Sequence, residues 1–127
     1  MHKKQNKLVE TIISAIQDKK GQNIVVADFQ NIQDFICSHF IICQGNSRIQ
    51  VEAIARNVGE YTYEHTKEKP IAVSGEENAL WIAIDYGDVM VHIFEPHTRT
   101  FYDLEHLWAD AKITEIPDLD TPSQQTI

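Results

Sequence analysis

Cysteine is scarce, bases are outnumbered and long apolar runs are missing. Each shortage removes a class of protein. The chain has two cysteines, Cys37 and Cys43. Two thiols make no framework of paired cysteines, so a reducing compartment is expected. Lys and Arg number 11 against 19 Asp and Glu, a net charge of -8. Nucleic-acid backbone is held by a local surplus of Lys and Arg that displaces counterions, and the balance here is the reverse. It favours basic protein partners through electrostatic steering. No apolar run approaches the roughly 18 residues of a membrane span. The N-terminal stretch "MHKKQNKLVETIISAIQDKKG" is basic, yet Glu10, Gln17 and Asp18 interrupt its apolar residues and no small-residue cleavage site follows. That speaks against a secretory leader and for a cytoplasmic protein.

What is present suffices for one domain. A chain of 127 residues, 43% hydrophobic and 24% charged, is long enough and mixed enough to bury a single core. Leu8, Ile12, Ala15 and Ile16 recur at helical spacing, and Gly21 supplies a stop. Residues 23–29 are rich in β-branched side chains and read as a strand. Residues 38–43 read as a second strand, apolar enough to be central. Asn46 or Ser47 caps a long helix with Ile49, Ala53, Ile54, Val58, Tyr61 and Thr62 on one side, ended by Pro70. Residues 71–74 read as a short third strand. A short helix capped by Asp103 carries the stripe Leu104, Leu107, Trp108 and Ala111. Residues 112–127, with two prolines and little apolar content, read as a loose tail after a domain of residues 1–111.

The stretch "WIAIDYGDVMVHIFEP", residues 81–96, is a hairpin by its alternation and its central Gly87-Asp88 turn. An even-length loop puts Ile82, Ile84, Tyr86, Val89, Val91 and Ile93 on one face. The other face carries Trp81, Ala83, Asp85, Met90, His92 and Phe94. The first face is core. The second is mostly apolar but holds an acid and a histidine, so either a helix covers it or a partner does. Trp, Met and Phe are residue types found at interface centres. With a strand–helix–strand crossover, the whole predicts a five-stranded mixed sheet flanked by helices, an α/β (α+β) domain.

Candidate chemistry is thin. Gly45-Asn46-Ser47 lies between a strand and a helix start, where backbone N–H groups can hold a phosphate. It lacks the lysine of a P-loop and the spaced glycines of a dinucleotide fingerprint, so a turn and a helix cap is the plainer reading. Nucleotidyl transfer needs two carboxylates converging on metal ions. Asp85 and Asp88 differ in parity, Asp28 stands alone, and Glu76 and Glu77 lie in a loop. On one strand, Cys37 and Cys43 would share a face with His39 but lie about 20 Å apart, too far for one zinc ion. No cofactor is expected.

The stretches "FIICQGNSRIQVEAIARNV" and "WIAIDYGDVMVHIFEPHTRTFYDLEHLW" resemble the ribosomal silencing factor, or Iojap-like, family. The likeness rests on residues 40–47, on Ala53, Ile54 and Ala55, on Trp81, Asp85, Gly87, Asp88, Val89 and His92, and on Arg99, Tyr102, Leu104, Glu105, Leu107 and Trp108. It departs from the family at Ser38 and His39, where Asp-Tyr is common. The resemblance implies a nucleotidyltransferase-like fold without its active site, and no enzyme activity. It implies binding to the large ribosomal subunit through that subunit's fourteenth protein, blocking the small subunit when nutrients are short. It implies homodimers when free, while the charge balance and the lack of a long apolar run already predict little contact with nucleic acid and no membrane. The contact surface it implies is Trp81, Ala83, Asp85, Met90, His92 and Phe94, joined by Tyr102, Leu104 and Glu105, with Trp108 packing beneath. The competing reading is an enzyme that holds a nucleotide at residues 45–47.

Overall fold

The computed structural model describes residues 2–32, 37–106 and 111–119. In chain order these form α1 (His2–Asp18), β1 (Gln22–Asp28), β2 (His39–Gln44), α2 (Arg48–Thr66), β3 (Ala72–Ser74), β4 (Trp81–Asp85), β5 (Val89–Phe94) and α3 (Pro96–Tyr102). A 3-10 turn (Leu104–His106) and β6 (Lys112–Ile116) follow.

Helix α1 buries Leu8, Ile12, Ala15 and Ile16, the residues that the helical spacing marks. Its end differs in detail from the expected glycine stop. Lys20 takes the left-handed conformation (φ 61°), and Gly21 N–H donates back to the Ile16 carbonyl at 2.9 Å. This is a Schellman end in which lysine carries the unusual φ. Gly21 serves packing instead, since a Cβ there would lie 2.3 Å from Cγ2 of Ile16.

The sheet order is β3-β4-β5-β2-β1-β6. Only β2 and β5 pair in parallel; every other neighbour is antiparallel. The crossover through α2 leaves central β2 and reaches β3 at the far edge, and the hairpin β4–β5 fills the two places between. Strand β2 is buried over all but its last residue, as its apolar run suggests for a strand flanked on both sides.

The sheet has six strands, not five. The sixth comes from the start of the segment read as tail, and pairs with β1 from Ile24 opposite Ile116 to Asp28 opposite Lys112. It is exposed except at Ile116. Pairing with a distant strand, rather than its own apolar content, makes it a strand. A helix that the apolar spacing did not mark, α3, precedes the expected one. It begins at Pro96, with Glu95 as its N-cap accepting the Thr98 N–H. Asp103 is its left-handed C-cap (φ 49°) and directly precedes the 3-10 turn Leu104–His106, the described part of the expected short helix. Proline at the first helical position and a carboxylate before it suit a helix start better than the later acid does. Leu107 and Trp108 lie outside the described residues.

Two cores result, one on each side of the sheet. Under α1 and α2 lie Ile24, Ile41, Ile82, Ile84, Val91 and Ile93. On the opposite side Val25, Phe29, Cys37, Phe40, Ile42 and Phe94 pack with Leu104. Both long helices therefore lie on the first hairpin face. Among the described residues the second face meets short elements, α3, the 3-10 turn and the chain around Phe29.

Candidate functional site

The hairpin register agrees with the alternation in the sequence. Trp81 stands opposite Phe94, Ala83 opposite His92 and Asp85 opposite Met90. The turn between the strands is closed by Tyr86 N–H donating to the Val89 carbonyl at 2.9 Å. Gly87 sits at φ 92°, a conformation a side chain would strain. Asp85 is tied into this turn, its Oδ1 accepting the Gly87 N–H at 2.7 Å. Its carboxylate is half-buried at the rim of the second face.

Trp81 is the centre of that face. Its Nε1–H donates to Nδ1 of His92 at 3.0 Å. Its ring stacks on Phe94 at 5.0 Å and 27°, and Tyr102 of α3 tilts against it at 4.7 Å. These contacts fix the indole while leaving it partly exposed. Because Nδ1 accepts, the neutral imidazole carries its proton on Nε2. That Nε2 is buried with no hydrogen-bond partner among the described residues, and the Phe40 ring lies against the imidazole at 4.7 Å. Burial lowers the His92 pKa to about 4, so the ring is neutral at physiological pH.

The nine residues that the resemblance assigns to the surface separate by burial. Trp81, Ala83, Asp85 and Met90 are half-buried, and Tyr102 is exposed. His92, Phe94 and Leu104 are buried at 5%, 0% and 8% exposure. These three are not exposed: His92 and Phe94 lie beneath Trp81, and Leu104 of the 3-10 turn packs in the same cluster as Phe94. Glu105 lies in the 3-10 turn. Two exposed apolar side chains lie next in sequence to members of this face. Phe101, beside Tyr102 at 5.0 Å, is 80% exposed, and Leu80 is also open. Arg99 went unassigned as well. Its buried guanidinium donates to the Asn23 carbonyl at 2.6 Å and to Oε1 of Gln44 at 3.2 Å, fastening α3 to the sheet. No apolar periodicity runs through "HTRTFY", so only the Glu95-Pro96 start signalled this helix.

The turn at residues 45–47 is closed by the chain itself. Ser47 Oγ accepts the Gln50 N–H at 3.1 Å, and Oε1 of Gln50 accepts the Asn46 N–H at 2.7 Å. The Gln50 amide also donates to the carbonyls of Lys19 and Lys20. Two backbone donors at this turn, the N–H groups of Asn46 and Gln50, are thus taken up within the chain, in the manner of a capping box. The thiols are equally inert. Burial raises Cys37 to about 11 and Cys43 to about 12, leaving almost no thiolate near neutral pH. They do not share a face: Cys37 precedes β2 and packs on the second side, while Cys43 packs under the helices. His39 is held between Oγ of Ser38 at 2.8 Å and Oδ2 of Asp28 at 3.7 Å. Among the described residues, no group of three His, Cys, Asp or Glu side chains has metal-holding geometry. No helix among them is long and apolar enough to cross a membrane.

Fold and site together describe a single-domain α+β protein whose distinguishing feature is a surface with an aromatic centre. The model of the family described as "Ribosomal silencing factor during starvation" matches residues 2–127. A ribosomal silencing factor of Halalkalibacterium halodurans is 38% identical over 109 residues, 86% of this chain and 92% of that one. One of Bacillus subtilis is 34% identical over 112 residues, 88% of this chain and 93% of that one. A crystal structure from Bacillus halodurans superposes with a TM-score of 0.73 at 33% identity, covering 87% of this chain and 99% of its own. The chain belongs to the ribosomal silencing factor family.

Proposed function

We propose that this protein represses translation by binding the large ribosomal subunit through that subunit's fourteenth protein, so that the small subunit cannot join, chiefly under nutrient limitation. Its contact surface is Trp81, Ala83, Asp85 and Met90 with Tyr102 and Glu105. His92, Phe94 and Leu104 hold that surface from beneath. The mechanism is steric and needs no chemistry from the protein. The fold is read as nucleotidyltransferase-like without the active site, and the protein as cytoplasmic and homodimeric when free.

One observation carries the reading: a tryptophan fixed by three contacts yet partly open, at the centre of a face that also bears an acid. Aromatic anchors preset in this way dominate binding energy at protein interfaces. Family membership supplies the ribosome as the place to look. The net charge of -8 suits a basic ribosomal protein and opposes extensive contact with rRNA phosphate.

The test is a sucrose-gradient profile of ribosomal subunits with and without the protein. The parent chain should travel with large subunits and deplete joined ribosomes. Trp81→Ala should lose about 2–4 kcal/mol of binding and leave subunit joining intact. Co-sedimentation of that variant at parental strength would refute the surface. Joined ribosomes undiminished by saturating parent protein would refute the blocking mechanism.

A further inference from the structure

Helix α3 brings Tyr102 to within 4.7 Å of the Trp81 ring, yet it buries no apolar side chain. It spans seven residues, and the one it buries is Arg99. A helix this short is not stable by its own hydrogen bonds and takes its place from tertiary contacts. Its first end is pinned beside β4, where Glu95 N–H donates to the Leu80 carbonyl at 2.9 Å. Its second end is pinned by the Arg99 guanidinium. Tyr102 follows Arg99 by three residues, so the two are neighbours on one side of the helix.

The seat of that guanidinium is built into β1. In the β1–β2 ladder Gln22 stands opposite Gln44, and Val25 opposite Ile42. Asn23 and Ile24 therefore share the place opposite Cys43, which makes a bulge. Asn23 takes the left-handed conformation (φ 52°), which asparagine adopts more readily than most residues and β-branched residues resist. Its side chain is exposed, and its backbone does the holding. The carbonyl accepts from Nη1 of Arg99 at 2.6 Å. The N–H donates to Oδ1 of Asp118 at 3.0 Å. Gln44 supplies the second acceptor for Nη1 through its Oε1 at 3.2 Å. Bulges turn backbone and side chains to new directions beside functional sites. This one turns a carbonyl toward α3.

We infer that the Asn23 bulge is a positioning device for the Trp81 surface. Through Arg99 it sets where α3 lies, and so holds Tyr102 against the indole. Asn23 and Arg99 act through Tyr102 and not by contact with a partner. The consequence for binding rests on the ribosomal reading above; the ring contact does not.

The test reads NOEs between the rings of Trp81 and Tyr102, and co-sedimentation with large subunits, in the full-length protein. Asn23→Val resists the left-handed conformation, so the NOEs should be lost and binding should fall by about five- to tenfold. Asn23→Gly takes that conformation freely and should keep both at parental levels. Arg99→Met keeps an apolar stem without the donors and should reproduce Asn23→Val. Gln44→Ala cuts the same linkage at its other acceptor and should move both readouts in the same direction by less. The double variant of Asn23→Val and Arg99→Met should be no weaker than Arg99→Met alone, because both cut one linkage. Ile12→Val trims the core on the helix side. It should lower stability and leave NOEs and binding as in the parent. Parental NOEs in both Asn23→Val and Arg99→Met would overturn the inference. Equal losses in Asn23→Gly or Ile12→Val would do the same, as would lost NOEs with parental binding. A parent chain that fails to travel with large subunits would refute the ribosomal reading instead, and the NOEs would still decide whether the bulge positions Tyr102.

Discussion

Trp81 and His92 are diagonal neighbours across the β4–β5 ladder, joined by a 3.0 Å hydrogen bond from the indole Nε1–H to the imidazole Nδ1. The bond specifies one tautomer and leaves the other ring nitrogen buried against Phe40. A buried donor without a partner costs about 1–3 kcal/mol. The protein tolerates it directly beneath the partly open indole of Trp81.

Replacing His92 with phenylalanine tests that relationship. The change removes the stranded Nε2–H and the acceptor for Trp81 together, and the half-exposed indole then finds water. Stability should change by no more than about 1 kcal/mol. Indole orientation should loosen, read as a red-shifted emission and a weaker near-ultraviolet signal. Co-sedimentation with large subunits should fall by about five- to tenfold, short of the loss in Trp81→Ala. Unchanged emission and unchanged binding would mean that His92 does not position the tryptophan.

The same imidazole predicts a pH dependence with a definite sign. Its folded pKa of about 4 lies below the ordinary value of 6.5, so the unfolded chain takes up the proton first. The contribution is whole above pH 6.5 and declines as pH falls toward 4. The gap of about 2.5 pKa units amounts to about 3 kcal/mol, of which about 2 is lost between pH 7 and pH 5. Burial lowers the His39 pKa too, against the pull of Asp28, and adds loss of the same sign. Urea unfolding at both pH values should show the decline in the parent and a smaller one in His92→Phe. Equal slopes would show that His92 does not titrate as its burial requires.

The hairpin faces were legible because strand alternation is local: once the turn at Gly87 is set, parity assigns every side chain from Trp81 to Phe94. What covers the second face was not legible. Leu104 and Tyr102 reach it only through α3, whose sequence has no apolar stripe and whose place depends on Arg99 bonding to Asn23 and Gln44 far away in the chain. Strand β6 was missed for a related reason. Lys112, Ile113, Thr114 and Glu115 are all exposed, so burial imposes no pattern on them, and their strand geometry comes from the edge of β1. The same distant packing sorts the surface residues, taking His92 and Phe94 inward and leaving Trp81 partly open.

Two glycines should respond in opposite directions to the same substitution. Gly21→Ala drives a Cβ to 2.3 Å from Cγ2 of Ile16, and the close turn between α1 and β1 must shift. Overpacking of this kind costs about 1–3 kcal/mol. Gly59→Ala meets nothing within 4 Å and gains helix propensity of about 0.5–1 kcal/mol. Denaturant midpoints of the two variants measured side by side should bracket the parent. A loss at Gly59 would mean that α2 needs its glycine for a reason inside the folded chain.

Asp85 has two duties, and two substitutions separate them. One carboxylate oxygen accepts the Gly87 N–H in the turn; the charge faces the rim of the proposed ribosomal surface. Asp85→Asn keeps an oxygen for the turn, so stability should stay within about 0.5 kcal/mol of the parent. Asp85→Lys removes the acceptor and should cost about 1–2 kcal/mol. If the charge steers and holds a basic partner, the asparagine variant binds large subunits about tenfold more weakly at low salt. The gap should narrow near 1 M salt, where the screening length shrinks to about 3 Å. Parental binding by Asp85→Asn at every salt concentration would reduce Asp85 to a turn residue and move the electrostatic part of the contact elsewhere on the face.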